Sequence, residues 1–159
     1  MRLYFFRHGP AMSRAEWDGP DAERPLTDQG AALTRHVSQR MASMGLQIDA
    51  ILTSPYARAL QTAQILDEVL GSTGLLKLES RLEPARFTRA SLDAMLSEHH
   101  GTAGVVLIAH EPSMTAVIAD LIGGGDLVLK KAGLARVDID APGATSTAAL
   151  RWLFPPKLL

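Results

Sequence analysis

Short apolar runs alternating with amphipathic stretches predict an α/β fold. It is a three-layer α/β/α sandwich, with a mostly parallel sheet and an antiparallel edge. Three observations carry this. Leu3-Tyr4-Phe5-Phe6 and Val105 to Ala109 lack polar alternation, as strands buried on both faces do. Thr27 and Ser54 each stand as an N-cap ahead of a stretch with helical apolar spacing. The last two runs, Ala135 to Ile139 and Ser146 to Trp152, are joined by a short turn at Ala141-Pro142-Gly143, which predicts a hairpin at one edge.

Taken in order, the first strand delivers Arg7-His8-Gly9 at its end, and the glycine lets the backbone turn sharply or a ligand come close. Pro10 to Arg24, with Trp17 and Gly19-Pro20, reads as a long loop of the kind that is often functional or mobile. Trp17 either packs over that loop or lies beside a site. Thr27 starts a helix to about Met44, with Leu33, Val37, Met41 and Met44 on its buried face and Gly45 as its stop. His36, next to that stripe, reads as a packed or surface histidine. Asp49 to Thr53 is the second strand. Ser54 as N-cap and Pro55 at the first helical position begin a helix to about Leu70, which puts Arg58 in its first turn.

Leu75 to Leu78 is a third apolar run, and Leu82-Glu83-Pro84 leads by a loop to a helix over roughly Arg89 to His100. His99-His100 would serve as charges or donors at its C-terminus. Val105 to Ala109 is the central strand, followed at once by His110, Glu111-Pro112 and a helix burying Met114, Val117, Ile118, Leu121 and Ile122. Gly123-Gly124-Gly125 lacks the Lys-Ser/Thr of a phosphate loop and reads as a helix terminator.

The 159 residues are expected to form a single domain, 1–159, large enough to bury a real core. A formal net charge of −1 gives no global field toward nucleic acid or anionic lipid. No run of ~20 apolar residues and no signal-peptide pattern is present, so the expected location is the cytoplasm. The absence of cysteine removes disulfides, thiolate catalysis and zinc–thiolate sites.

In sheets of this kind, ligands bind beyond the carboxyl ends of the strands. Three strands end in Arg7-His8, in Ser54-Pro55 with Arg58 one turn on, and in His110. If all three run parallel, two arginines, two histidines and two helix N-termini converge into an anion site. A guanidinium fork suits the paired oxygens of a phosphate. A neutral imidazole is a competent nucleophile toward phosphorus, and a second can stabilise charge on the transferring group. No His-x-x-x-His or paired-Asp metal motif is found, so a mechanism without metal or cofactor is the simpler expectation.

Arg7-His8-Gly9, Ser54-Pro55-x-x-Arg58-Ala59-x-x-Thr62-Ala63 and the strand-terminal His110 resemble the histidine phosphatase superfamily, which includes the cofactor-dependent phosphoglycerate mutases. Arg24-Pro25-Leu26-Thr27-x-x-Gly30, His110-Glu111-Pro112, Lys131 before Ala132-Gly133, and Trp152-x-x-x-Pro156 resemble its SixA-type phosphohistidine phosphatases. The resemblance spans essentially the whole chain. It implies a phosphoglycerate mutase-like fold and a hydrolase in which His8 is phosphorylated and then released by water. Arg7, Arg58 and His110 would hold the phosphoryl oxygens, with Gly9 beside them. Ser54 would cap its helix or support a neighbour, and the non-attacking nitrogen of His8 would donate to a backbone carbonyl near Gly9.

The chain departs from larger relatives in two places. Pro10-Ala11-Met12-Ser13 lacks their Asn/Thr pair, and Glu83 stands only near the place of their general acid. An alkoxide leaving group needs a proton donor, worth roughly a hundredfold or more; an imidazole needs one much less. A short connection, Ala85 to Gly104, also leaves little lid. The leading expectation is therefore a phosphohistidine phosphatase whose partner is a phosphorylated protein, such as a histidine phosphotransfer domain or phosphocarrier. Alternatives are a metal-independent phosphatase of small esters, with Glu83 or a water as donor, and a phosphate-binding module without turnover.

Overall fold

The computed structural model describes residues 1–72, 74–99, 101–140 and 147–158. The chain builds β1 (Arg2–Arg7), α1 (Asp28–Ser43), β2 (Ala50–Thr53), α2 (Ala57–Leu70), β3 (Leu76–Leu78), α3 (Arg89–Ser97), β4 (Gly104–Ala109), α4 (Ser113–Leu121), β5 (Leu134–Ile139) and β6 (Ala148–Phe154). The sheet order is β3-β2-β4-β1-β5-β6. The first four strands are parallel, and β5 and β6 form the antiparallel edge. The expected turn at Ala141-Pro142-Gly143, together with Ser146, His100 and Leu159, lies outside the described residues.

Strand pleating sends successive side chains to opposite faces, so an unbroken apolar strand feeds two cores. Leu3 and Phe5 of β1, with Val105 and Leu107 of β4, pack against Leu92, Met95 and Leu96 of α3 and Met114, Val117 and Ile118 of α4. Tyr4, Phe6, Val106 and Ile108 face the other way, against Val37 and Met41 of α1 and Ala59, Ala63 and Leu66 of α2. Adjacent strands β1 and β4 thus lead into helices on opposite faces. That arrangement opens a crevice between their carboxyl ends.

The register sets Arg7 opposite Ala109 and Thr53 opposite Ile108. The residues that follow, His8, His110 and Ser54, therefore emerge side by side. β6 carries a bulge opposite Arg136/Val137, where Arg136 pairs with Trp152 and Val137 with Leu150. The extra residue reverses the pleat. Leu150 and Leu153 join the α3/α4 core while Trp152 crosses to the other face and meets the Tyr4 ring at 6.2 Å.

Helix starts follow the local chemistry, with one exception. The Thr27 hydroxyl accepts from the Gly30 N–H at the head of α1, and Thr88 forms a capping box with Ser91 at the head of α3. The expected Ser54 cap does not form. α2 begins at Ala57 with Tyr56 as N-cap, and Ser54-Pro55 remain in the preceding turn. Arg58 still lands in the first turn. On α1, Met44 lies past the helix and is 38% exposed; Thr34 and Ser38 complete the buried face instead. Small polar side chains fit that tight approach, and the Thr34 hydroxyl is absorbed by the Gly30 carbonyl at 2.8 Å. Ile122 is the C-cap of α4, half-buried rather than part of its core face. No helix among the described residues is long and apolar enough to cross a membrane.

α1 crosses close over the chain that leaves β1. A Cβ on Gly30 would lie 1.9 Å from the Pro10 carbonyl oxygen, backbone that cannot step aside. Gly30→Ala should therefore lower stability by roughly 1–3 kcal/mol through overpacking, read as a lower urea midpoint at unchanged slope; an unshifted midpoint would show that the loop yields freely.

Candidate active site

His8 follows the last residue of β1 and is 7% exposed. Its Nδ1 lies 2.8 Å from the Gly9 carbonyl oxygen. A carbonyl only accepts, so Nδ1 carries the proton and Nε2 keeps its lone pair. Burial, opposed by that hydrogen bond and assisted by Arg58, Arg7 and Lys131, pushes the His8 ring down to about 3. The imidazole is neutral at ordinary pH.

His110, 2% exposed, stands beyond β4 with its ring centroid 5.2 Å from that of His8. Its Nε2 is 2.9 Å from the Ser54 hydroxyl, and its Nδ1 is buried without a partner. Burial, then the charges of His8 and Arg58, push this ring also down to about 3. Ser54 is thus a support for His110 rather than a helix cap. Tyr56 lies edge-on to His110 at 5.2 Å and places its ring 5.1 Å from the Arg58 guanidinium carbon. One turn therefore holds both groups.

The two arginines are held differently. Arg7 donates from Nη1 to the Leu129 carbonyl at 2.8 Å, and its buried Nε has no partner. Arg58 is 4% exposed and donates to Asp21 twice, from Nη1 to the backbone oxygen at 2.9 Å and from Nη2 to Oδ2 at 3.2 Å. Burial lowers both guanidinium pKa values, opposed by Glu111 at Arg7 and by Asp21 at Arg58. Both stay cationic, because arginine starts so high. Burial acts to raise Asp21, but the Arg24 hydrogen bond and the charges of Arg58, Arg24 and Arg14 hold its carboxyl below the usual range. The loop after β1 is tied to α2 through this carboxylate, and Arg24 returns to the Met12 carbonyl at 2.5 Å. Trp17 belongs to the same loop and donates to the Pro20 carbonyl at 3.0 Å.

These groups line a cleft of ≈ 310 Å3 with Ala11, Pro84, Glu111 and Lys131. Arg7, His8, Arg58 and His110 are all brought together. Gly9 is not presented to the cleft as expected. Its N–H donates to the Thr62 hydroxyl at 3.1 Å and its carbonyl is taken by His8. A Cβ there would meet the Thr34 hydroxyl at 2.2 Å, so glycine is required by the close approach of α1 rather than by a ligand. Glu83 is not among the lining residues; its carboxylate lies 3.4 Å from Arg86. Sequence reasoning missed Asp21 and Glu111 as neighbours of the site. Asp21 carries no local signal, because it opens only a single 3-10 turn, Asp21–Glu23, within the long loop. Glu111, next to His110, had one in its position. Its Oε2 accepts from the Thr115 hydroxyl at 2.7 Å, and its Oε1 is buried with no partner. Among the described residues, no group of three or more His, Asp or Glu side chains clusters as metal ligands.

The sequence model of the histidine phosphatase superfamily (branch 1) matches residues 3–88. The chain belongs to the histidine phosphatase superfamily. By that membership, and by its likeness to SixA, it is a phosphatase. It is 27% identical to the phosphohistidine phosphatase SixA of Escherichia coli over 160 residues, covering 98% of this chain and 94% of that one. An uncharacterized protein of Picosynechococcus is 39% identical over 142 residues, 84% of this chain and 82% of its own. The solved structure of the protein histidine phosphatase SixA complexed with tungstate superposes with a TM-score of 0.88 at 25% identity, covering 99% of both chains. The fold is that of the phosphoglycerate mutase-like histidine phosphatases.

Two measurements check the electrostatics. Ring nitrogen NMR should show His8 as the neutral Nδ1–H tautomer throughout pH 5–8. The folded rings titrate at about 3, whereas unfolded histidine takes its proton near 6.5. Between those values the unfolded chain binds more protons, so stability should fall as pH drops from 6.5 toward 3 and level off above 6.5. Each ring contributes on the order of 1 kcal/mol per pH unit to that slope. The His8→Asn/His110→Asn double variant should flatten it, and an unchanged slope would reject the neutral, buried pair.

Proposed function

We propose that the protein removes phosphate from a phosphorylated protein histidine through a phosphohistidine intermediate on His8. The observation that carries this reading is the fixed Nδ1–H tautomer of His8. It holds an unprotonated Nε2 in a cleft lined by the buried Arg58 and the half-buried Arg7. In the first step the Nε2 lone pair forms a bond to phosphorus while the bond from phosphorus to the substrate imidazole breaks. The electron pair stays with the departing nitrogen, and the ring leaves neutral when its other nitrogen carries a proton. In the second step water attacks the phosphorus, the electron pair returns to Nε2, and the water proton passes to phosphate or solvent.

The remaining donors have roles consistent with this. Arg58 has five N–H protons, of which Asp21 takes two, leaving Nε–H and one proton on each Nη for phosphoryl oxygens. Arg7 keeps its Nε–H. A hydroxyl proton from Ser54 to His110 Nε2 would place the ring proton on Nδ1, as a further donor. The anion is thus met by preorganised charge and dipoles where charge develops.

Support for a phosphohistidine substrate comes from the leaving group. Glu83 is directed to Arg86 rather than lining the cleft, and an imidazole needs little protonation to depart. The SixA relative is named for that substrate. The partner on this reading is a histidine phosphotransfer domain or phosphocarrier, in the cytoplasm. One observation favours a second reading, a phosphatase of small esters: the unpartnered Glu111 Oε1 belongs to a carboxylate that does line the cleft.

The deciding experiment pairs a phosphohistidine-bearing protein with an aryl phosphate ester, with chelator present. The wild type should cleave the first far better, His8→Ala should lose at least a thousandfold (on the scale of removing a nucleophile), and Glu83→Gln should change little. If the ester is the better substrate and Glu111→Gln cripples it, the second reading replaces the first.

A further inference from the structure

A larger groove of ≈ 710 Å3 lies against the cleft, and Arg7 and Lys131 line both. Its walls are Leu33 of α1 and the Pro155-Pro156 pair that follows β6. Lys130, Lys131 and Lys157 complete the lining, all three exposed. We infer that this groove docks the phosphorylated protein, receiving an acidic segment with an apolar side chain that flanks the phosphohistidine. The inference rests on the phosphohistidine reading and adds the chemistry of the partner.

Charge is the first argument. The chain has four lysines, and three of them gather here although the net charge is −1. Arginines elsewhere are largely neutralised within the molecule, as in Arg35–Glu68, Arg81–Glu79, Arg89–Asp93 and Arg136–Asp138. None of the three lysines has an ion-pair partner among the described residues. A cluster of unpaired cations at one rim attracts an acidic partner and sets its orientation.

The walls are the second argument. Proline has no N–H, so Pro155 and Pro156 offer no donors for an added strand, and the occupant must present side chains. Lysine stems cover apolar surface while their heads reach water. An apolar floor with a cationic rim is the layout of a protein-docking patch rather than of a site for a small polar ligand, which requires fixed polar groups. Continuity is the third argument. Because Arg7 and Lys131 border both spaces, a segment in the groove places a neighbouring phosphohistidine in the cleft.

The test uses synthetic peptides that carry one phosphohistidine and one leucine, flanked by either Asp/Glu or Lys. The variant is Lys130→Glu/Lys157→Glu, which leaves the cleft untouched. The wild type should prefer the acidic peptide in kcat/KM, and the double variant should lose on the order of tenfold or more of that preference through KM, with turnover of a small phosphoramidate unchanged. Fluorescence anisotropy with the unphosphorylated acidic peptide supplies a readout independent of catalysis, and binding should weaken in the variant and with added salt. Equal kcat/KM for both peptides, or unchanged peptide binding by the variant, overturns the docking surface. If sedimentation shows a dimer that the variant disrupts, and the peptide does not bind, the groove holds a second copy instead. Failure of the phosphohistidine reading looks different: the wild type would then cleave neither peptide nor phosphoramidate, while the binding data still judge the groove.

Discussion

Parallel pairing of β1 with β4, in the register that sets Arg7 opposite Ala109, is the constraint on which the site depends. The two strands lie side by side at the centre of the sheet, and their side chains are buried on both faces. A slip by one residue would turn every one of those side chains to the wrong core. The register is therefore held by many apolar contacts at once, and it carries His8 and His110 to the same edge. Because β1 and β4 feed helices on opposite faces, the space between their ends stays open. Packing far from the chemistry thus fixes the separation of the two rings.

Burial then sets the chemical state of what packing has placed. Both imidazoles sit among cations in a poorly solvated pocket, and both are held neutral. Neutrality is what a nitrogen nucleophile requires. The cost of placing two guanidinium groups in the same pocket is offset locally. Asp21 neutralises Arg58 from an otherwise irregular loop, and Leu129 takes one proton of Arg7. Asp21 bonds to Arg24 and Arg58 together, so the loop and the head of α2 are ordered by the same charge that tunes the site. The carboxylate leaves the remaining guanidinium protons uncommitted.

The fold was legible in the sequence because its signals are strong and local. β1 and β4 are continuous apolar runs, α1 opens on Thr27, and the last two strands are near neighbours in the chain. Element ends moved by a few residues, as with β6, which runs on to Phe154 rather than ending at Trp152. The bulge in β6 left no trace in the pattern, since it is a property of pairing with β5. Ser54-Pro55 carried a genuine helix-start signal that tertiary contact overrode: His110 uses the Ser54 hydroxyl, and the helix begins at Ala57.

The sequence alone determined which chemical groups the protein has and that they fall at strand ends. Residue type, apolar periodicity and chain order are enough for that, because parallel strands separated by helices can meet only along one edge. Tertiary structure decided the rest. It turned Gly9 into a holding element under α1, drew Asp21 to Arg58, brought Glu111 rather than Glu83 to the cleft, and set three lysines around a groove beside it. Each of those depends on a distance between segments far apart in the chain. Burial and hydrogen bonding act through such distances, and no local pattern of residues records them.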